Sequence, residues 1–233
     1  MAMRLLVVEN MDGTPLGLVD ERARNRGAAV THLQAFAGEP VPSSLVGHDG
    51  LIILGGAQSA LADDRFAHLP QVAQLIRASA AADKPVLGIC LGSQLIVRAF
   101  GGRNILGRPL EFGYHPVSPT RDAAADPVFC GLKAPTPMFH WHEDTVELPA
   151  SAVHLATSDQ TRVQGFRIGR AVYGFQFHVE ATADVVRAWS AEFEAEIAER
   201  VGNWQVEAEI ARHAAAARHV GAGLIDSWLD HLA

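Results

Sequence analysis

Two cysteines, Cys90 and Cys130, are all that 233 residues contain, and that scarcity excludes a disulfide framework as the source of stability. No apolar stretch approaches the roughly 18–20 residues needed to cross a bilayer, so no membrane role is expected. The 19 Lys and Arg residues are scattered without a run among 26 Asp and Glu, for a formal charge of −7. The basic footprint of a nucleic-acid binder is therefore missing. The apolar stretch near Met1 is short and interrupted by Glu9 and Asp12, unlike a secretory signal, and places the chain in the cytoplasm. No G-x-x-x-x-G-K-[ST] loop occurs, and Leu54-Gly55-Gly56-Ala57-Gln58-Ser59 lacks the leading Ser and the Asp of the pyrophosphate-binding loop it superficially resembles. Neither ATP nor any other cofactor is expected.

What is present is enough apolar residue, 48% against 19% charged, to bury a sizeable core. The length fits a single domain over 1–233, with about 203–233 as a C-terminal helical extension. Arg4-Leu5-Leu6-Val7-Val8-Glu9, Leu51-Ile52-Ile53-Leu54 and Pro85-Val86-Leu87-Gly88-Ile89 are continuous apolar runs, the pattern of parallel strands buried on both faces. Between the last two, Val72, Leu75, Ile76 and Ser79 recur at helical spacing, so a βαβ unit and an α/β fold follow. Leu95, Ile96, Ala99 and Phe100 mark a helix directly after Cys90, stopped by Gly101-Gly102. The Pro- and Gly-rich middle third predicts strands with long loops, including 163–168 and 172–177. Beyond Thr182 the spacing of Val185, Val186, Trp189 and Phe193 predicts one amphipathic helix with those residues in the core, and a second helix runs from about Asn203 to His219.

Gly88-Ile89-Cys90-Leu91-Gly92 places a cysteine between a strand and a helix, the setting in which a sharp elbow presents a nucleophile. With 21 glycines in the chain, chance would flank one of two cysteines this way with an expectation of about 0.02. The helix N-terminus favours the attacking thiolate. The competing assignment is an inert buried thiol. Cys130, in Val128-Phe129-Cys130-Gly131, has no comparable setting and reads as structural.

A cysteine nucleophile needs a base held by a third group. Eleven histidines compete. Gln176-Phe177-His178-Val179-Glu180 stands out because it ends an apolar strand and sets His178 and Glu180 two residues apart, so both side chains can project to one side. The same spacing also fits an ordinary exposed pair at a strand end.

Together these residues resemble the glutaminase domain of the class I (triad) glutamine amidotransferases, especially the amidotransferase domain of GMP synthetase. The carriers, in chain order, are Leu54-Gly55-Gly56, Gly88-Ile89-Cys90-Leu91-Gly92-Ser93-Gln94-Leu95-Ile96, Gly101-Gly102, Glu111-Phe112-Gly113-Tyr114, Trp141-His142-Glu143-Asp144 and Gly174-Phe175-Gln176-Phe177-His178-Val179-Glu180. The resemblance implies a flavodoxin-like α/β fold, a mostly parallel sheet with helices on both faces, and a triad of Cys90 as nucleophile, His178 as acid and base, and Glu180 as its orienting carboxylate. It further implies an oxyanion hole from the backbone N–H groups of Gly56 and Leu91, and substrate contacts at Gly55, Gln94, Gly113 and Tyr114. Ala57 and Val179 stand where many relatives carry proline, which leaves every reacting group in place. The implied reaction is hydrolysis of glutamine to glutamate and ammonia, with the ammonia passed to a separate synthetase or the protein acting as a free-standing hydrolase. Rival readings are a γ-glutamyl peptidase using the same triad and a regulatory subunit without activity.

His140, His142 and Asp144 also have the look of a metal cluster, but no further ligand with recognisable spacing accompanies them. No metal site is assigned on the sequence. The apolar segment 224–232 offers a surface through which the chain could dimerise.

Overall fold

In the computed structural model, which describes residues 3–232, Leu5 and Val7 join one apolar cluster while their neighbours Leu6 and Val8 join another. That alternation is what a strand covered on both faces requires. The chain runs β1 (Arg4–Glu9), α1 (Leu18–Asn25), β2 (Ala29–Gln34), β3 (Gly50–Ile53), α2 (His68–Ala81), β4 (Val86–Ile89), α3 (Leu91–Ala99) and β5 (Arg103–Ile105). It continues through β6 (Glu111–Pro119), β7 (Thr136–His142), β8 (Thr145–Glu147), β9 (Ala152–Thr157), β10 (Gly165–Ile168) and β11 (Val172–Phe175), and closes with α4 (Ala183–Glu192), α5 (Glu194–Arg200) and α6 (Val206–Leu229).

Nine strands form one sheet in the order β2-β1-β3-β4-β11-β10-β9-β6-β7. The first five are parallel, and the remaining four extend the sheet antiparallel. Helices α2 and α3 cover one face through Leu69, Val72, Leu75, Leu95 and Ile96. Helices α1, α4 and α6 cover the other through Leu18, Val186, Trp189, Leu224 and Trp228. The flavodoxin-like α/β expectation holds, with the carboxyl ends of β3, β4 and β11 side by side.

Several sequence expectations are corrected. The helix after Thr182 is two helices, because Phe193 leaves helical geometry at φ −109° and ψ 27°. Thr182 caps its start, its hydroxyl accepting from the Val185 N–H at 3.3 Å. The following helix extends ten residues past His219, to Leu229. The segment 224–232 is not a free apolar surface: Leu224, Ile225, Trp228 and Leu229 are each no more than 1% exposed. The pair α1 and β2 carries no apolar periodicity, since β2 is largely exposed and α1 reads Leu-Val-Asp-Glu-Arg-Ala-Arg-Asn. Among the described residues no helix is long and apolar enough to cross a membrane.

Candidate active site

Strand β4 passes into α3 through a single residue, Cys90, whose backbone sits at φ 51° and ψ −110°. Few non-glycine residues adopt such a conformation, and it persists only where the surroundings hold it. Here they do: the Cys90 N–H donates to the Phe175 carbonyl of β11 at 2.8 Å, and its carbonyl accepts from the Ser93 N–H and hydroxyl. The flanking glycines serve close approach rather than the turn itself. A Cβ on Gly88 would lie 2.5 Å from the Gly92 carbonyl, and one on Gly92 would lie 2.2 Å from the Ile53 carbonyl oxygen of β3. Only a glycine pair lets α3 start this close to the sheet.

His178 follows β11 and is tied to β7 by its N–H, which donates to the Phe139 carbonyl at 2.8 Å. Glu180 leaves its backbone carbonyl to the N-terminus of α1, accepting from the Leu18 N–H at 2.9 Å. Across the two-residue gap His178 Nδ1 meets Glu180 Oε1 at 2.7 Å. The pair is 8% and 2% exposed, so it is not the exposed strand-end pair that its spacing also allows. The imidazole edge faces Trp189, ring centroids 5.0 Å apart. Its other nitrogen, Nε2, is on the Cys90 side: a Cβ on Gly55 would stand 3.5 Å from His178 Cε1 and 3.6 Å from Cys90 Cβ. Burial alone would lower the pKa of His178, but the Glu180 charge, the nearby Cys90 and the hydrogen bond to Glu180 outweigh it and raise it to about 10. The ring is an imidazolium at neutral pH.

Gly56 adjoins the start of α3, where its Cβ would come 3.0 Å from Leu91 Cδ2. The N–H groups of Gly56 and Leu91 have no hydrogen-bond partner among the described residues. Gly55, Gly56, Cys90, His178 and Glu180 line a common cleft of about 120 Å³, walled by Met11, Pro15, Trp141, Trp189 and Phe193, with Glu196 also on its lining. Phe193, expected in the core from spacing, packs against it half-buried and also lines the cleft. The side chains of that wall come from the loop after β1, from β7 and from α4 and its junction with α5, a combination with no signature in the chain.

The other implied substrate residues lie elsewhere. Gln94 is buried beneath the elbow, its amide donating to the Asp144 carbonyl and to Gln176 Oε1, each at 3.3 Å. Gln176 in turn donates from Nε2 to Cys90 Sγ at 3.8 Å. A line of two side-chain amides therefore ends on the Cys90 sulfur, and Gln176 is a residue that sequence reading passed over. Gly113 and Tyr114 are on β6, outside the cleft lining. Trp204 stacks over Gly113, 3.0 Å from where a Cβ would be, and Tyr114 packs on Phe139 and His213. Cys130 is exposed and does not line the cleft.

His140 and His142 do face a common carboxylate, but it belongs to Glu111 rather than Asp144. The three side chains are buried between β6 and β7. Burial would raise the pKa of Glu111, yet His142, His140 and Ser158 outweigh it and hold it down to about 2. Burial pushes His140 down to about 3.

Comparison with known proteins gives a family and a fold. The family described as glutamine amidotransferase class-I matches residues 7–188. The glutamine amidotransferase-like protein YfeJ of Salmonella typhimurium is 32% identical over 183 residues, 77% of each chain. Gamma-glutamyl peptidase 5 of Arabidopsis thaliana is 31% identical over 151 residues, 63% of this chain and 59% of that one. A crystal structure of a glutamine amidotransferase from Thermotoga maritima superposes with a TM-score of 0.89 at 26% identity, covering 100% of this chain and 98% of the other.

Proposed function

Since the chain belongs to the class I glutamine amidotransferase family, we propose that it hydrolyses a γ-glutamyl amide through Cys90, with glutamine as the first-choice substrate. The observation that carries the reading is the buried His178–Glu180 pair at 2.7 Å beside a cysteine on a left-handed elbow, all three opening into one cleft. Cys90 Sγ attacks the γ-carbonyl carbon, and the carbonyl π electrons move onto oxygen, where the N–H groups of Gly56 and Leu91 receive the charge. One such donor contributes about 10²–10³ in rate. His178 then gives its proton to the departing nitrogen as the C–N bond breaks, releasing ammonia and leaving a γ-glutamyl thioester. Water adds to the thioester while His178 takes its proton, the C–S bond breaks, and glutamate leaves with Cys90 restored. Glu180 holds the imidazole orientation and its positive charge throughout. No cofactor takes part. The ammonia either passes to a synthetase or is released to solvent.

A second reading has a specific observation in its favour. The cleft wall of Met11, Trp141, Trp189 and Phe193 suits an apolar leaving amine better than it suits ammonia, and one relative is a γ-glutamyl peptidase. The same triad would then cleave a γ-glutamyl peptide. Competition on the purified chain separates the two: glutamine mixed with a γ-glutamyl dipeptide yields the ratio of their kcat/KM values. A ratio favouring glutamine supports the first reading, and a ratio strongly favouring the peptide replaces it with the second. Cys90→Ala should abolish both turnovers, and Cys130→Ala should change neither.

A further inference from the structure

His142 donates from Nδ1 to the Asp144 carbonyl, 3.2 Å away. A carbonyl only accepts, so Nδ1 carries the proton. In a neutral ring, Nε2 is then a bare lone pair, and it faces Glu111 Oε2 at 3.2 Å. Two acceptors cannot share that gap. Either the gap holds a proton, on His142 Nε2 or on Glu111 Oε2, or a cation lies between them. The neighbouring ring separates these alternatives. His140 is 0% exposed, neither of its nitrogens has a hydrogen-bond partner, and its Nδ1 points to the same carboxylate oxygen at 3.9 Å. A proton in the gap, on either group, leaves His140 unpaired, whereas a cation engages both rings.

From this we infer that Glu111, His140 and His142 form a structural site for a divalent transition-metal ion of the zinc class. Their donor atoms all lie within 4.8 Å of one another. Around a tetrahedral ion with bonds of roughly 2.0–2.1 Å, donors sit about 3.3 Å apart, which the 3.2 and 3.9 Å separations bracket. The outer contacts match such a site. Glu111 Oε1 accepts from the Ser158 hydroxyl at 2.6 Å, and His142 is fixed through its second nitrogen by a backbone carbonyl. Gln164 Oε1 is buried without a partner beside them, its Nε2 donating to Glu111 Oε2 at 2.9 Å. A half-turn of that amide offers a fourth oxygen. The ion would be closed off from substrate, since none of these residues lines the Cys90 cleft. Its place is to pin β6 to β7, the strand whose Phe139 carbonyl holds the His178 backbone.

The test loads the full chain, stripped with a chelator, with Zn²⁺ or Co²⁺ alone. The expected result is one equivalent bound per chain, a thermal midpoint raised by Zn²⁺, and X-ray absorption at the zinc edge showing two imidazoles and oxygen donors with no sulfur. His140→Ala should weaken binding by more than the roughly 10–100-fold that loss of an outer contact causes, and His140→Gln serves if the alanine variant does not fold. No binding by the folded chain, a sulfur ligand from Cys90 or Cys130, or affinity unchanged in the His140 variant would overturn the inference. The absorption reading needs no variant at all, and none of these readouts depends on turnover.

Discussion

Glu180 sets the charge on His178, and through it the pH range in which the site is poised. The raised value of about 10 gives the sign: stability from the charged imidazole is complete below the unfolded value near 6.5 and is lost as pH rises through about 10. Glu180→Gln removes the opposing charge and leaves burial to dominate. The alkaline limb of the kcat/KM profile should therefore move to lower pH, and the rate at its maximum should fall by up to about 10⁴. A profile superposable on the unaltered chain would assign the carboxylate role elsewhere. Gln176 belongs to this scale as well. Gln176→Leu removes the only side-chain amide that reaches Cys90 Sγ among the described residues, and steady-state assay should show kcat falling more than KM rises. That Cys90, His178 and Glu180 would meet was legible because they lie in two short motifs with strong local context. Gln176 was visible in one of those motifs, but nothing in its spacing distinguishes an amide that points at sulfur from one that points at solvent.

The element that presents the proposed nucleophile is the β4–α3 elbow, and its strain has a measurable sign. In most helix or strand positions glycine costs roughly 0.5–1 kcal/mol relative to alanine. At Cys90, with φ 51°, the order should reverse, so that Cys90→Gly is at least as stable to urea as Cys90→Ala. Gly92→Ala should instead lose roughly 1–3 kcal/mol, because its Cβ would sit 2.2 Å from the Ile53 carbonyl oxygen and α3 must retreat from β3. Strand and helix spacing predicted both flanks of this elbow. It did not predict which residue takes the left-handed backbone, since the glycine pattern alone suggests the glycines. Contacts between distant strands left no trace at all: Glu111 meets His142 through the β6–β7 register, and a single sequence carries no mark of register between strands joined by a long connection.

On the scale of the whole molecule, the parallel half of the sheet positions Cys90, His178 and Glu180, and the antiparallel half with α6 packs behind them. Trp228 of α6 is fully buried on the face that α1 and α4 share. Trp228→Ala should cost about 3–5 kcal/mol in a denaturant titration, while Trp228→Phe should recover most of it; a near-neutral alanine variant would show α6 to be dispensable to the core. The sequence marked α6 as helical but misplaced its end, because the Gly- and Ala-rich stretch 214–223 has little amphipathic contrast.

The most direct test of the central claim is to quench the working chain within the first turnovers and sequence the modified peptide by mass spectrometry, with glutamine and with a γ-glutamyl dipeptide in turn. The account predicts a γ-glutamyl thioester on Cys90 from whichever substrate turns over, absent from Cys130 and lost in Cys90→Ala. Turnover of either substrate by Cys90→Ala at the unaltered rate, or an acyl group found on any other residue, would contradict it.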